Sequence, residues 1–97
     1  FELLHQNYHC RYGEIDIIVK KSQLIVFVEV RYRKNGHFGS AIESVTLKKQ
    51  NKISITARHY IQQHLQTDQN FDFRFDVIAL STLNVTQKAP DWVQGAW

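Results

Sequence analysis

The sequence lacks several features on which whole classes of protein depend. Its 97 residues include one cysteine, Cys10, one proline, Pro90, and no methionine. A single cysteine excludes an intrachain disulfide and a thiolate zinc cluster, and it is typical of a reducing, cytoplasmic setting. No apolar run approaches the roughly 20 residues of a membrane helix, so we expect no membrane span. Because the chain begins at Phe1 without a methionine, we expect that a preceding segment is missing.

The composition is typical of one small folded domain covering residues 1–97. Hydrophobic residues make up 43% of the chain and charged residues 22%, which disfavours extensive disorder. The net charge of +3 is compatible with a polyanionic partner such as nucleic acid, although it does not require one. The sequence has no glycine-rich phosphate loop and no Gly-x-Ser-x-Gly elbow, so it indicates neither of those enzyme classes.

Two segments in the first third of the chain have the pattern of neighbouring strands. Apolar residues alternate over 12–19 and recur over 24–32, with a polar turn between the two segments. Side chains alternate between the faces of a strand, so we expect Ile15 and Ile18 to lie on opposite faces.

Charged side chains interrupt both predicted strands. Glu14 and Asp16 share one face of the first strand, and Glu29 and Arg31 share one face of the second. If the connecting loop has an even number of residues, Asp16 lies opposite Glu29, and Glu14 lies opposite Arg31. An odd loop would place Asp16 and Glu29 on opposite faces. An ionised carboxylate is costly to bury without a partner, so these acids need an explanation.

Two interpretations of the acidic residues remain open at this point. In the first, Asp16 and Glu29 hold Mg²⁺ or Mn²⁺, because close carboxylates repel each other and hard oxygen ligands suit these ions. Such an ion can activate a water molecule and neutralise charge on a phosphodiester. In the second, Glu14 pairs with Arg31 and Asp16 caps a turn, leaving an ordinary salt-bridged sheet surface.

The remaining pattern predicts one helix and further strands. The helix is expected to begin near Ser44 or Thr46, either of which can serve as N-cap, and to continue to about residue 65. The clearest strand signal covers 71–80, where Phe residues alternate, and an edge strand is predicted over 84–88.

Other conspicuous residues are interpreted as structural. Asp76, inside a predicted strand, is interpreted as a pairing partner rather than a catalytic acid. Trp92 and Trp97 are expected to dock on the core. His5 and His9 are four residues apart but are not on a convincing helix, and a matching third ligand is missing, so the sequence does not indicate a zinc site.

A basic cluster follows the second predicted strand. Its cationic members lie in the loop after that strand and at the start of the helix: Arg33, Lys34, Lys48, Lys49 and Lys52. Gln50, which is neutral, lies beside these lysines and can hydrogen-bond a phosphate or a water, or simply face the solvent. Such residues can contact successive phosphates with an affinity that depends on salt and largely ignores base sequence. A solvated basic surface is the alternative interpretation.

The ordered blocks RYGEIDII, VFVEVRYR, FGSAIESVTLKKQNKI, FRFDVIAL and DWVQGAW resemble the YraN family of small bacterial endonuclease-like proteins. The acid on one strand followed by Glu-x-Arg on the next is similar to the PD-(D/E)xK nuclease superfamily, which includes archaeal Holliday junction resolvases. The resemblance implies a restriction endonuclease-like α/β fold, a mixed sheet flanked by helices, with another helix before Phe1. It also implies that Asp16 and Glu29 bind the metal and that Glu14 is an auxiliary catalytic acid.

One position departs from the superfamily pattern. Arg31 stands where the pattern has lysine, and arginine stays protonated in proteins, so it cannot act as a general base. It can still hold a phosphate, and Lys49 or Lys52 could supply the missing lysine from the helix. We therefore expect a metal-dependent endonuclease acting on DNA, at branched or structured sites and as a homodimer by analogy with the resolvases. The alternatives are a nucleic-acid-binding module with a decayed nuclease site, and a protein-interaction domain.

Overall fold

The protein is described by a computed structural model over residues 1–33, 45–65, 70–81 and 91–97. Within these ranges the elements follow in the order β1 (Glu2–Cys10), β2 (Gly13–Lys21), β3 (Leu24–Arg33), α1 (Leu47–His64), β4 (Asp72–Ser81) and β5 (Asp91–Val93). None of the chain described in this way forms a helix with the length and apolar character needed to span a membrane. The strand predicted over 84–88 lies outside the described residues.

All five strands belong to one mixed sheet, in the spatial order β1-β2-β3-β4-β5. The β3–β4 pair is parallel and the other three pairs are antiparallel. A parallel pair needs a crossover connection, and α1 lies in the segment that connects β3 to β4. The predicted α/β class is therefore confirmed, and the mixed sheet with its helix is compatible with a restriction endonuclease-like fold.

A tight hairpin joins β2 to β3. Lys21 pairs with Leu24, which leaves Ser22 and Gln23 as a two-residue loop. Ser22 has a positive φ of 54°, as the first position of the favoured two-residue hairpin turns requires. The loop therefore has an even number of residues, the case in which Asp16 and Glu29 are expected to approach each other. The pairing continues from this turn as far as Ile17 and Val28.

The strict alternation predicted for β2 is wrong at its centre. Ile15 and Ile18 are three residues apart, yet both belong to the same buried cluster and are 1% and 0% exposed. The pairing with β3 ends at Ile17, and next to it the side chain of Asp16 accepts the hydrogen bond of the Val30 backbone N–H. Here β2 no longer follows the regular ladder, so its side chains need not keep to the two-residue period.

Helix α1 begins at one of the two predicted N-caps. The Thr46 hydroxyl accepts a hydrogen bond from the backbone N–H of Lys49 at 3.1 Å, and the helix ends at the C-cap Leu65. Its buried residues lie on one side: Ile53, Thr56, Ala57 and Tyr60. This side faces the sheet, where the ring of Phe27 lies 6.2 Å from that of Tyr60.

A close approach fixes the helix against β2. A methyl group built on Gly13 would lie 2.9 Å from the Thr56 hydroxyl oxygen, which is too short for an ordinary contact. That hydroxyl is itself tied to the helix, because it donates to the Lys52 carbonyl at 2.8 Å. The glycine that precedes Glu14 therefore allows the helix to pack directly on the start of the strand.

Asp76 anchors the C-terminal segment, whose strand β5 pairs with β4, and its predicted structural role is confirmed. The side chain is fully buried and receives two hydrogen bonds from Arg74, at 2.8 and 2.9 Å. The Trp92 indole N–H donates at 2.9 Å and the Gly95 backbone N–H at 3.0 Å. Burial alone would raise the pKa of Asp76, but these donors hold it below its ordinary value.

The two tryptophans differ in how they dock. Trp97 stacks on Phe75, with 5.1 Å between ring centroids, and donates to the Ser54 hydroxyl at 3.2 Å. Trp92 keeps 46% of its surface exposed and is attached through its bond to Asp76. The predicted docking on the core is thus confirmed for Trp97, whereas Trp92 is held mainly through its polar edge.

Candidate functional site

Two carboxyl groups approach each other where the pairing of β2 and β3 ends. Asp16 directly precedes the last paired residue of β2, Ile17, and Glu29 directly follows its partner Val28. The Asp16 carboxylate accepts the Val30 N–H at 2.8 Å, so it lies against β3. Glu29 is only 5% exposed. Burial raises the pKa of Glu29, and the charge and hydrogen bonding of the neighbouring Asp16 carboxyl raise it further.

Two cations contact the same oxygen of Glu29. Arg31 Nη1 lies 3.5 Å from Oε2, and Lys49 Nζ lies 3.6 Å from it. Arg31 is two residues further along β3, and Lys49 is placed by the capped first turn of α1. Both charges oppose the rise in the pKa of Glu29 without cancelling it. The position of Lys49 is the one expected if a helix lysine replaces the missing strand lysine, and its role in a reaction remains a prediction.

The expected pairing of Glu14 with Arg31 is wrong. The pairing of β2 with β3 stops at Ile17, so these two residues are not cross-strand partners. Glu14 is exposed and lies opposite His9 of β1, whereas Arg31 forms its ion pair with Glu29. The interpretation of these acids as an ordinary salt-bridged surface, in which Glu14 pairs with Arg31, is therefore less well supported. An auxiliary role for Glu14 remains a prediction.

The predicted phosphate-contacting residues are placed unevenly. Lys48 and Lys52 are exposed on the first turns of α1, beside Lys49. Gln50 donates its side-chain N–H to the carbonyl of buried Val45 at 3.1 Å, which ties it to the start of the helix. Arg33 is the last residue of β3, and Lys34 lies outside the described residues.

Sequence reasoning missed a cluster of histidines around one buried tyrosine. The Tyr8 hydroxyl lies 2.6 Å from His59 Nδ1, and the rings of His5 and His64 are 5.1 and 5.6 Å from the Tyr8 ring. These residues come from β1 and from two positions on α1, so their spacing in sequence gives no signal. The structure, over the residues it describes, shows no group of three His, Cys, Asp or Glu arranged to hold a metal.

The donor set at Asp16 and Glu29 fits a hard cation held by few protein ligands. Mg²⁺ is often bound through only one or two carboxylates, with water and substrate phosphate completing its coordination. Carboxylate oxygens also suit Mn²⁺. Burial raises the pKa of Glu29, and the charge of Asp16 raises it further, so repulsion between the two carboxyls persists beside Arg31 and Lys49. A cation held by both carboxylates would offset this repulsion.

The raised pKa of Glu29 predicts a measurable pH dependence. The folded protein holds the proton of this carboxyl more tightly than the unfolded chain does, so this group favours folding most in acid. Its contribution is lost as the pH rises from the ordinary glutamate pKa through the raised folded value. In chelator, the free energy of unfolding of Glu29→Gln should therefore exceed that of the wild type increasingly between acidic and neutral pH. Urea denaturation at a series of pH values measures this difference, and parallel curves would contradict it.

Comparison with known proteins gives a consistent match over most of the chain. The model of a family described as "Uncharacterised protein family UPF0102" matches residues 1–80. A UPF0102 protein of Aeromonas hydrophila is 47% identical over 92 residues, which are 95% of this chain and 67% of that protein. One from Psychromonas ingrahamii is 46% identical over 96 residues, 98% of this chain and 73% of that protein. One from Nitrosococcus oceani is 46% identical over 80 residues, 82% of this chain and 64% of that protein.

Proposed function

Because the chain belongs to the UPF0102 family, which is the YraN family, and the family description states no activity, we propose a function from the site itself. We propose that the protein is a Mg²⁺- or Mn²⁺-dependent endonuclease that hydrolyses phosphodiester bonds in DNA. The observation that carries this proposal is the approach of the Asp16 and Glu29 carboxyls beside Arg31 and Lys49. Two acids and two cations at one point form a site suited to a metal and a phosphate together.

The acids and the cations of this site have different tasks in the proposal. One Asp16 oxygen, Oδ2, accepts the Val30 N–H and so fixes the orientation of the carboxylate. We assign the other oxygen, together with the Glu29 carboxylate, to the cation. When bound, the cation lowers the pKa of a water molecule and neutralises charge on the scissile phosphate.

Arg31 and Lys49 are placed to hold the substrate phosphate. Their side chains are 36% and 46% exposed, so both remain accessible while they contact Glu29. Positive groups fixed beside a phosphate stabilise the negative charge that develops during hydrolysis. Lys48 and Lys52 extend the positive surface along the helix, where further phosphates of the same strand can bind. A homodimer would offer two such sites to the two strands of a duplex, and it remains a prediction.

A second candidate function is nucleic-acid binding without efficient cleavage. It is favoured by Arg31, which cannot accept a proton, and by the ion pairs of Glu29 with Arg31 and Lys49, which offset part of the negative charge that would hold a cation. In this case the basic surface still binds DNA in a salt-dependent manner. Binding would persist in chelator and no product would form.

Thermal unfolding with and without Mn²⁺ tests the metal site directly. Since a ligand that binds only the native state raises its stability by mass action, Mn²⁺ should raise the melting temperature of the wild type. An excess of about 100-fold over the dissociation constant corresponds to about 2.7 kcal/mol. For a domain of this size each kcal/mol is about 4–8 °C. The shift should be absent in Asp16→Asn.

The matched control is Asp72→Asn, which removes an exposed acid at the start of β4. This variant should keep the full Mn²⁺ shift. A shift that survives in Asp16→Asn, or one that disappears equally in both variants, would show that the ion binds elsewhere.

A further inference from the structure

A cavity of about 480 Å³ lies beside Asp16, and no role has been assigned to its other lining residues. Its lining residues come from the first four strands of the sheet: Gln6, Asn7, Asp16, Ile17, Val30, Tyr32, Ile78 and Leu80. The volume is within the range of natural small-ligand sites. Asp16 is the residue that the cavity shares with the proposed nuclease site.

The register of the sheet explains how this cavity is built. Val30 pairs with Ile78 and Tyr32 with Leu80, so these side chains share one face of β3 and β4. Glu29 belongs to the other face, the one on which Lys49 of α1 meets it. The cavity therefore lies across the sheet from the helix. Asp16 lies where the pairing of β2 with β3 ends, and there it contacts β3 and also lines the cavity.

The chemistry of the lining selects a flat, neutral and partly polar ligand. Four aliphatic side chains provide apolar walls, and Tyr32, which also lines the cavity, is 71% exposed. The amides of Gln6 and Asn7 carry both donors and acceptors, and Asp16 provides an acceptor. None of the described lining residues is Lys or Arg, so the cavity is a poor place for a phosphate.

The cations beside Glu29 and the mostly uncharged lining of the cavity suit different parts of a nucleotide, the phosphate and the base. The phosphate is attracted to Arg31 and Lys49 on one side of Asp16, and a neutral base can lie against the carboxylate on the other side. From this division we infer that the cavity binds an unpaired nucleobase adjacent to the phosphate held at Asp16 and Glu29. The inference rests on the proposed function and narrows its substrate to DNA with an unpaired nucleotide at the site. A base inside a duplex cannot enter, because it is stacked and paired.

Stacking on Tyr32 should supply most of the affinity for the base. Base–aromatic stacking is worth about 1–3 kcal/mol per base, which corresponds to a change of about 5- to 150-fold in affinity. Because the amides of Gln6 and Asn7 can each donate and accept, we expect little discrimination among the four bases.

Anisotropy titrations in chelator at low salt test this inference without any cleavage. The probes are a short labelled single strand, a duplex of the same length, and a chain of abasic spacers with the same number of phosphates. The wild type should bind the single strand more tightly than the abasic chain by about 5- to 150-fold. Tyr32→Ala should remove that difference. Tyr12→Ala, which removes another exposed tyrosine outside the cavity, should preserve it.

The possible failures are distinguishable. If the abasic chain binds the wild type as tightly as the normal strand does, or if Tyr32→Ala and Tyr12→Ala lose equal affinity, the inference is overturned. The cavity would then suit an apolar side chain of a protein partner better than a base, and the proposed nuclease site would be unaffected. If the wild type binds none of the three probes, the proposed action on DNA fails as well. Circular dichroism confirms that both variants remain folded.

Discussion

Replacing either Asp16 or Glu29 with alanine should reduce DNA cleavage in Mn²⁺ by at least about 10³-fold. A metal-bound water and a neutralised phosphate together lower the barrier by several kcal/mol, and each 1.36 kcal/mol is worth about tenfold in rate. Both carboxyls are assigned to the ion, so the loss of either one removes the same contribution. The double variant should therefore be hardly slower than each single variant. Initial rates on labelled linear and branched DNA measure these differences.

Controls for this experiment come from the helix. Lys49→Ala should slow cleavage less than the loss of an acid, because a phosphate contact is removed and the metal ligands remain. Arg58→Ala, an exposed cation later on α1, should have no effect. Equal activity in the wild type and both acid variants would identify a contaminating nuclease and end the proposal.

Arg31→Lys separates the two candidate functions. If the site is intact apart from this residue, a lysine supplies the side chain that the resemblance to PD-(D/E)xK nucleases implies, and cleavage should increase. If wild type and variant both bind DNA and neither produces cut strands, the binding module with a decayed site is the better description. The retention of salt-dependent binding in chelator distinguishes that result from a loss of folding.

The largest effect on stability is expected at Asp76. Asp76 is fully buried, and each buried donor left without an acceptor costs about 1–3 kcal/mol. Asp76→Ala would remove the hydrogen-bond acceptor of Arg74, of the Trp92 indole and of the Gly95 N–H at once. A domain has only about 5–15 kcal/mol of stability in total, so this variant should be close to unfolding.

Urea denaturation followed by tryptophan fluorescence measures this loss, because Trp92 is part of the network. Asp72→Ala, which removes an exposed acid from the same strand, is the matched control and should change the free energy of unfolding by less than about 0.5 kcal/mol. If Asp76→Ala is too unstable to purify, Asp76→Asn keeps one acceptor oxygen and should show an intermediate loss. Equal stability of the Asp76 and Asp72 variants would contradict the structural role of the network.

Local chemistry in the sequence was sufficient to predict the elements that position the site. Alternation identified β2 and β3, the polar turn allowed an even loop, and two candidate N-caps, Ser44 and Thr46, marked the start of α1, of which the structure uses Thr46. These signals depend on neighbouring residues, since strand period, turn length and N-cap are all local properties. Two of them, the strand period and the even loop, bring Asp16 near Glu29, whereas the bond of Asp16 to the Val30 N–H beyond the end of the ladder does not follow from them.

Features that depend on distant contacts could not be predicted in the same way. Ile15 and Ile18 are both buried in one cluster because the side chain of Asp16, rather than a backbone group of β2, accepts the Val30 N–H. The alternation of apolar residues cannot reveal such a break in the ladder. The Glu14–Arg31 pair failed for the same reason, since it assumed that the ladder continued beyond Ile17.

Two of the hydrogen-bond partners of Asp76, Trp92 and Gly95, could not be predicted from the sequence pattern either. Its position inside an apolar strand indicated a buried pairing role, and Arg74 lies two residues away on the same face. The bonds from Trp92 and Gly95 depend on how the C-terminal segment returns to the sheet. No spacing rule connects residues that are brought together by such a return.

The two-residue turn at Ser22 and Gln23 separates two kinds of insertion that this gene can acquire over generations. One codon added in the turn gives a three-residue loop, which also closes hairpins and leaves Lys21 opposite Leu24. One codon added inside β2, between Asp16 and Lys21, moves Asp16 one place along the strand and turns its side chain to the other face of the sheet. The length of the turn can therefore change while the two acids stay together, whereas the length of this part of the strand cannot.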